Sequence, residues 1–251
     1  MREKWFTHRP EQNLAEDVRY HLYNDPHRKA SGLPDIILGG QDGLVNVLGV
    51  ILGVAAATST PRIVLVAGLA AAFAESVSMG AVAYTSTLAD ADYYEAERAR
   101  EFRHINEVPH LETNEVREIY ERKGFTGELL DRIVSTITAN KDVWVAVMMS
   151  EELQLTPIDR KQAIRSALVV GLSAIIGSLI PLAPFAFLSV VQSMWAAVLI
   201  TAIVLFTAGV YKARIMVGRP ARSGLEMALI GTLSALVGYA VGALLKLPPT
   251  G

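Results

Sequence analysis

The stretch DIILGGQDGLVNVLGVILGVAAAT, residues 35–58, is apolar over almost all of its length. As an α-helix with a rise of 1.5 Å per residue it would extend about 36 Å, enough to cross a hydrocarbon core of about 30 Å. Four further apolar runs follow at residues 63–88, 167–188, 191–211 and 225–245. The sequence therefore predicts an all-α membrane protein with five transmembrane helices, the third of them interrupted by Pro181 and Pro184.

The composition agrees with lipid as the solvent for much of the surface. Hydrophobic residues make up 51% of the 251 residues, and the mean hydropathy is +0.33, which is high for an ordinary soluble domain. The chain has no cysteine, which excludes disulfides, zinc-thiolate sites and iron–sulfur clusters. A metal ion would have to bind oxygen, imidazole or thioether groups, and no prosthetic group is expected.

Polar segments divide the chain into an N-terminal arm (1–34), two transmembrane helices (35–89), an insertion (90–163), three more transmembrane helices (164–247) and a short tail (248–251). The insertion is expected to be a three-helix domain, with helices at 93–106, from about Leu111 and at 128–140, followed by residues 144–153. The first of these helices extends the second membrane helix. In the arm, residues 13–23 predict a short amphipathic helix that lies either on the membrane surface or against the protein.

Lysine and arginine are unevenly distributed between the two sides of the membrane. Of the 23 in the chain, 21 lie in residues 1–34, 90–165 and 211–223, and the other two are Arg62 and Lys246. The positive-inside rule then places the N-terminus and the insertion in the cytoplasm. Because residues 1–32 contain no apolar core, no cleavable signal peptide is expected.

Ionisable side chains inside the apolar runs are few, and a charge there costs at least about 2.5 kcal/mol. Asp42, with glycine on its C-terminal side, is interpreted as a cation or proton site. Glu75 and Met79 are four residues apart on one helix face, and carboxylate with thioether suits a transition metal, although methionine alone more often only packs. Glu226 is explained by the dipole at the start of the fifth span.

The insertion carries ligand-type side chains at helical spacing. A first stripe ends in a Glu-x-x-His unit, the pair that lines carboxylate di-metal sites in helical bundles. A second stripe has three glutamates at three-residue steps and is expected to face outward, and two methionines and two glutamates come near the end of the insertion. These residues are Glu97, Glu101, His104, Glu112, Glu115, Glu118, Met148, Met149, Glu151 and Glu152.

Each of these glutamates taken alone is best explained as part of a solvated helix surface. As a group they lack matching cations at every step, and residues 90–160 hold 16 acidic against nine basic residues, a net charge of −7. Such a domain requires cations and repels nucleic acid. Carboxylates with one imidazole and thioether sulfur indicate Fe²⁺ or Mn²⁺, with Co²⁺, Ni²⁺ and Zn²⁺ able to compete.

Several motifs in order resemble the vacuolar iron transporter family of Fe²⁺ and Mn²⁺ exporters. The resemblance covers residues 36–245. It is carried by Asp42-Gly43-Leu44, Ser78-Met79-Gly80, Tyr93-Tyr94, Met148-Met149 with Glu152, and Ile180-Pro181-Leu182-Ala183-Pro184.

The resemblance implies a homodimer that exchanges metal for protons, in the inner membrane of a prokaryote or the vacuolar membrane of a eukaryote. It places Asp42 and Met79 in the translocation path. It also implies a cytoplasmic metal site made by Glu101, His104, Glu112, Glu115, Met148 or Met149, and Glu152.

Two positions depart from the family pattern. His104 stands where plant-type members have a glutamate, and imidazole favours Zn²⁺, Co²⁺ or Ni²⁺ and makes binding sensitive to pH near 6.5. Members of the family also carry an acid at the position of Ala71, whereas this chain has Glu75 one turn later. Which acid couples proton transport to metal transport is therefore left open, and Glu75 is the candidate.

Two alternatives to a transporter are an enzyme and a regulator. A membrane ferroxidase would use the Glu101/His104 unit at a di-metal centre, but such four-helix centres use two Glu-x-x-His units and the insertion has one. A metal-responsive regulator or scaffold would leave Asp42 and the Glu75/Met79 face without a role. We therefore expect a transporter rather than an enzyme.

Overall fold

The computed structural model describes residues 32–58, 60–215 and 218–245, and every regular element in them is helical. The predicted arm helix at 13–23 and the tail at 248–251 lie outside these residues. The described helices are α1 (Leu33–Ala57), α2 (Pro61–Glu107), α3 (Pro109–Arg122), α4 (Gly127–Thr138), α5 (Lys141–Val147), a π-helical turn (Met148–Glu152), α6 (Lys161–Leu182), a 3₁₀ turn (Ala183–Ala186), α7 (Val190–Ile215) and α8 (Pro220–Leu244).

Five of these helices, α1, α2, α6, α7 and α8, are long and apolar enough to cross a membrane, as predicted. Their outer faces carry large exposed apolar side chains, such as Val77, Trp195 and Leu229. In water such a surface would drive aggregation, whereas in lipid it is the expected exterior.

Helix α2 is a single element of 47 residues, which corresponds to about 70 Å and more than twice the hydrocarbon thickness. Its C-terminal part therefore extends well beyond a bilayer, and the predicted extension of the second membrane helix is continuous with it. The helix ends before Pro109, which disfavours helical geometry at the preceding residue. Val108 accordingly has φ −132° and ψ 51°, and the chain turns there into α3.

Small residues allow the membrane helices to pack with their backbones close together. Where α1 meets α8, a methyl group on Gly242 would overlap the backbone of Gly53. Where α2 meets α6, the Ser76 hydroxyl donates to the carbonyl of Gly171 at 2.8 Å. These contacts require glycine or serine because any larger side chain would separate the two backbones.

The insertion between α2 and α6 has an apolar core of its own. Ile105 from α2, Val116 from α3, Leu130 from α4, and Met148 and Met149 from the π-helical turn belong to one buried cluster. The π-helical geometry appears in the hydrogen bond from the Leu153 amide to the Met148 carbonyl. This core orients the polar faces of α2 and α3 toward each other.

Two boundary expectations change. Pro181 lies inside the last turn of α6, and the helix continues to Leu182 before a 3₁₀ turn. Helix α8 begins at Pro220 rather than near Leu225, because proline is favoured in the first turn. Glu226 is therefore in the second turn, where it pairs with Arg222 at 2.8 Å, and the helix-start explanation for it is wrong.

The α1–α8 contact predicts that alanine substitutions at two glycines differ strongly in their effect on stability. Gly242→Ala should destabilise the protein by about 1–3 kcal/mol, because the new methyl would overlap backbone that cannot rotate away. Gly40→Ala is the matched control, since its nearest neighbour would be the Ser173 carbonyl oxygen at 3.8 Å. Thermal unfolding in detergent measures both, and equal melting temperatures for the two variants would contradict this packing.

Candidate metal centre

The C-terminal part of α2 and the first turn of α3 meet at the Val108 turn and bring three ligand-type side chains together. Glu101, His104 and Glu112 each offer one ligating atom, and these atoms all lie within 4.8 Å of one another. The His104 Nδ1 is 3.4 Å from Glu112 Oε1 and 3.9 Å from Glu101 Oε1. We call these three residues the insertion cluster.

The insertion cluster is buried on its carboxylate side and open on its imidazole side. Glu101 and Glu112 are only 5% and 2% exposed, whereas the His104 side chain is 45% exposed. One oxygen of each carboxylate, Oε2, is buried without a hydrogen-bond partner among the described residues. Two buried carboxylate oxygens without donors are unfavourable unless a cation or protons neutralise them.

The pKa values of the two buried carboxyl groups also indicate that the cluster needs a cation or protons. Burial, followed by the charges of Glu115, Glu101 and Glu152, raises the pKa of Glu112 to about 7. Burial also raises the pKa of Glu101, partly offset by the nearby His104. A divalent cation would remove both penalties by replacing the proton on Glu112 and screening the repulsion between the acids.

Glu115 and Glu152 surround the cluster without joining its closest group. Glu115 lies near Glu112 and helps to raise its pKa. Glu152, on the π-helical turn, has an exposed side chain, and its pKa is raised by partial burial and then by Glu115 and Glu101. Their role as further ligands of a metal ion stays a prediction.

The thioethers of Met148 and Met149 lie in the apolar core of the insertion, with 0% and 1% exposure. The same core contains Ile105, the residue after His104. The methionines therefore share an apolar core with the residue next to His104, and their role as ligands stays a prediction.

Glu97 behaves differently from the other acids of its stripe. It is buried, but both of its oxygens accept from Arg100, at 2.8 and 3.0 Å. The ion pair forms within one helix because the two residues are three positions apart. Its carboxylate is therefore already neutralised, and Glu97 is not part of the closest group.

Two expectations about the acids need correction. Glu112 faces inward rather than outward, because its helix folds back against α2, while Glu118 is exposed and contacts Asn114. More of the acids form ion pairs than the sequence spacing indicated, because their basic partners come from other parts of the structure. The pairs between elements are Arg117–Asp131, Lys123–Glu151, Arg98–Asp142 and Arg160–Asp92.

A second group of polar side chains, which we call the membrane group, lies between α1 and α2 within the membrane. The Asn46 amide donates to Glu75 Oε1 at 2.6 Å, and Asp42, on the same helix as Asn46, lies near Glu75. Met79 is partly buried one turn further along α2. Sequence reasoning missed Asn46, although its position four residues after Asp42 on an apolar helix was a usable signal.

The chain is similar to known proteins over most of its length. The sequence profile of the VIT family matches residues 33–243. A vacuolar iron transporter 1 from Oryza sativa subsp. japonica is 36% identical over 206 residues, covering 82% of each chain. The Arabidopsis thaliana protein of the same name is 32% identical over 213 residues, covering 84% of this chain and 85% of the relative. A vacuolar iron transporter from Plasmodium berghei (strain Anka) is 31% identical over 244 residues, covering 93% and 88%.

The raised pKa of Glu112 predicts how metal binding depends on pH. Because a proton must leave the carboxyl before a cation binds, affinity should fall by about tenfold per pH unit below 7 for each proton released and level off above it. Titration of Co²⁺ into the purified chain, at pH values on either side of 7, measures this.

Two variants distinguish metal binding at the insertion cluster from attraction of metal by surface charge. Glu112→Gln should weaken binding and flatten its pH dependence, whereas Glu118→Gln, on the exposed side of the same helix, should change neither. Binding that is independent of pH in the parent chain would contradict the assignment.

Proposed function

Because the chain belongs to the VIT family, we propose that this integral membrane protein transports divalent transition metal, with Fe²⁺ as substrate and Mn²⁺ as a second substrate. The observation that carries the proposal is the insertion cluster, in which two buried carboxylate oxygens have no donor among the described residues and lie beside a half-buried imidazole. Relatives at 31–36% identity are named vacuolar iron transporters. The carboxylate and imidazole donors fit such ions by their chemistry.

We further propose that metal leaves the cytoplasm in exchange for protons. The distribution of lysine and arginine supports a cytoplasmic insertion, so the cluster would collect metal on that side. Names of the relatives favour a vacuolar membrane as the site of action. A homodimer is part of the proposal, and the wide apolar faces of the long helices are compatible with it.

The steps follow from the chemistry of the side chains. The cluster, with Glu115, Glu152, Met148 and Met149 as its proposed further ligands, concentrates a scarce ion. The ion then reaches the membrane group of Asp42 and Glu75. Protons arriving from the opposite side compete for those carboxylates and release the metal.

The ferroxidase alternative is not favoured. The relatives carry the names of transporters, and within residues 32–58, 60–215 and 218–245 one group of three such ligands is present rather than a paired di-metal centre. Asp42, Asn46 and Glu75 also have no role in an oxidase confined to the insertion.

The membrane group gives the direct test of transport. Asp42→Asn should reduce uptake of Fe²⁺ into sealed vesicles to background, because the path loses a charge that binds the ion. Metal binding by the insertion cluster in the same purified protein should be unchanged. Asp35→Asn, near the start of α1, is the control and should transport normally. Parent-level uptake by the Asp42 variant would remove this residue from the mechanism.

His104 separates a transporter from an oxidase. His104→Glu should preserve binding and uptake while shifting the metal preference from Zn²⁺, Co²⁺ and Ni²⁺ toward Fe²⁺ and Mn²⁺, because a carboxylate replaces imidazole. His110→Glu, at an exposed position on α3, should leave the preference unchanged. Oxygen consumption with Fe²⁺ is measured beside uptake of Mn²⁺. Catalytic oxygen consumption by the parent that the variant loses, with no uptake by either, would support the enzyme instead.

A further inference from the structure

Asn46 is a polar side chain at membrane depth that does not belong to the core of the helix bundle. It is exposed, whereas its neighbours Val47, Leu48 and Ile51 are buried in one apolar cluster. An apolar residue would suit lipid better at this position, because an amide in hydrocarbon costs free energy unless it is hydrogen-bonded. Packing therefore does not account for an asparagine here, and the reason must lie in what its amide binds.

The amide of Asn46 binds one particular oxygen of the membrane group. Its NH₂ donates to Glu75 Oε1 at 2.6 Å, and this orientation of the amide follows because an ionised carboxylate only accepts hydrogen bonds. Hydrogen bonds to a charged acceptor are among the stronger side-chain interactions. This one holds the Glu75 side chain in a single orientation and occupies Oε1, which leaves Oε2 as the oxygen that can face an ion.

The same hydrogen bond sets the register between α1 and α2. Only three residues separate the two helices, so they are antiparallel neighbours, and a methyl group on Gly68 of α2 would lie 2.7 Å from the Ile51 side chain of α1. In an antiparallel pair, one turn back along α1 corresponds to one turn forward along α2. The bond to Glu75 therefore brings Asp42 to the turn of α2 between Glu75 and Met79, in agreement with its position near Glu75.

We propose that Asn46 determines which cation the membrane group accepts, an inference that rests on the proposed transport function. With Oε1 held by the amide, the group offers an ion one oxygen of Glu75, the carboxylate of Asp42 and the thioether of Met79. Ca²⁺ takes about six to eight oxygen ligands and frequently binds carboxylates through both oxygens, so this set is poor for it. A set that includes thioether sulfur suits a transition metal better. Asn46 is thus a positioning residue that favours Fe²⁺ over Ca²⁺.

A purely structural role for the hydrogen bond leads to a different expectation. If Asn46 only tied α1 to α2, its loss would lower the stability of the protein and the maximal rate of uptake. The order of preference among cations would stay the same, because the ligands offered to the ion would not change. Competition between Fe²⁺ and Ca²⁺ therefore separates the two roles.

The test measures Fe²⁺ uptake by the full-length chain in sealed vesicles, with increasing Ca²⁺ on the side from which Fe²⁺ enters. In Asn46→Leu both oxygens of Glu75 become available to an ion. The Ca²⁺ concentration that halves uptake should then fall by about tenfold, the size expected for the loss of one hydrogen bond to a charged group. The KM for Fe²⁺ should rise while the maximal rate stays close to that of the parent. Asn46→Gln keeps an amide donor and should restore most of the discrimination.

Ser234→Ala is the matched control. The Ser234 hydroxyl donates to the carbonyl of Val45 at 3.1 Å and so connects α8 to the same turn of α1. Its removal takes away a hydrogen bond between helices without touching Glu75, so Ca²⁺ should inhibit this variant as it inhibits the parent. The insertion cluster is the same in every variant, and differences in inhibition therefore report on the membrane group. Thermal unfolding in detergent measures how far each substitution destabilises the fold.

The outcomes distinguish the role of Asn46 from transport itself. Equal inhibition of Asn46→Leu and the parent by Ca²⁺ would overturn the selectivity role while leaving transport intact. The same gain in Ca²⁺ sensitivity in Ser234→Ala would also overturn it, because the effect would then come from helix packing. A parent chain that takes up no Fe²⁺ would overturn the proposed function, and the role of Asn46 with it.

Discussion

The uninterrupted backbone hydrogen bonding of α2 from Pro61 to Glu107 is the constraint on which the rest of the structure depends. One rigid helix carries Glu75 and Met79 at membrane depth and Glu101 and His104 in the insertion. Its period therefore sets the rotational relation between the two groups, and its length sets their separation. Helix α6 packs on one part of it and the insertion on another, so both are positioned by the same element.

The insertion cluster differs electrostatically from the acids of the insertion that have basic partners. Glu97 has Arg100, and exposed acids such as Asp131 and Glu151 pair with residues of other elements, which costs little because both charges remain near water. Glu101 and Glu112 are instead buried, each with one oxygen that has no hydrogen-bond partner in the part of the chain that the structure describes, an arrangement that costs stability until protons or a metal ion neutralise it. Burial of these two carboxylates lowers the stability of the metal-free protein, and it also strengthens their interaction with a cation. The cluster therefore binds a cation more tightly at the cost of stability without one.

The polar side chains of the membrane group are also constrained by their surroundings, because lipid is less polar than water. Lipid offers no hydrogen-bond partners, so polar side chains must satisfy one another between helices. Asn46 does this for Glu75 across the α1–α2 contact. Close approach of the helices at glycine and serine positions leaves little room for other side chains there.

The sequence by itself determined the elements that depend on local pattern. Lengths of apolar runs predicted five membrane helices, and helical spacing predicted that Glu101 and His104 share a face. Which helix would face them was decided by the tertiary structure, because the turn at Val108 sets the angle of α3 and brings Glu112 inward. The partners of Glu75 and Asp92 likewise come from residues 29 and 68 positions away in sequence. Periodicity relates residues on one helix, whereas contacts between helices depend on backbone geometry and packing that no single segment specifies.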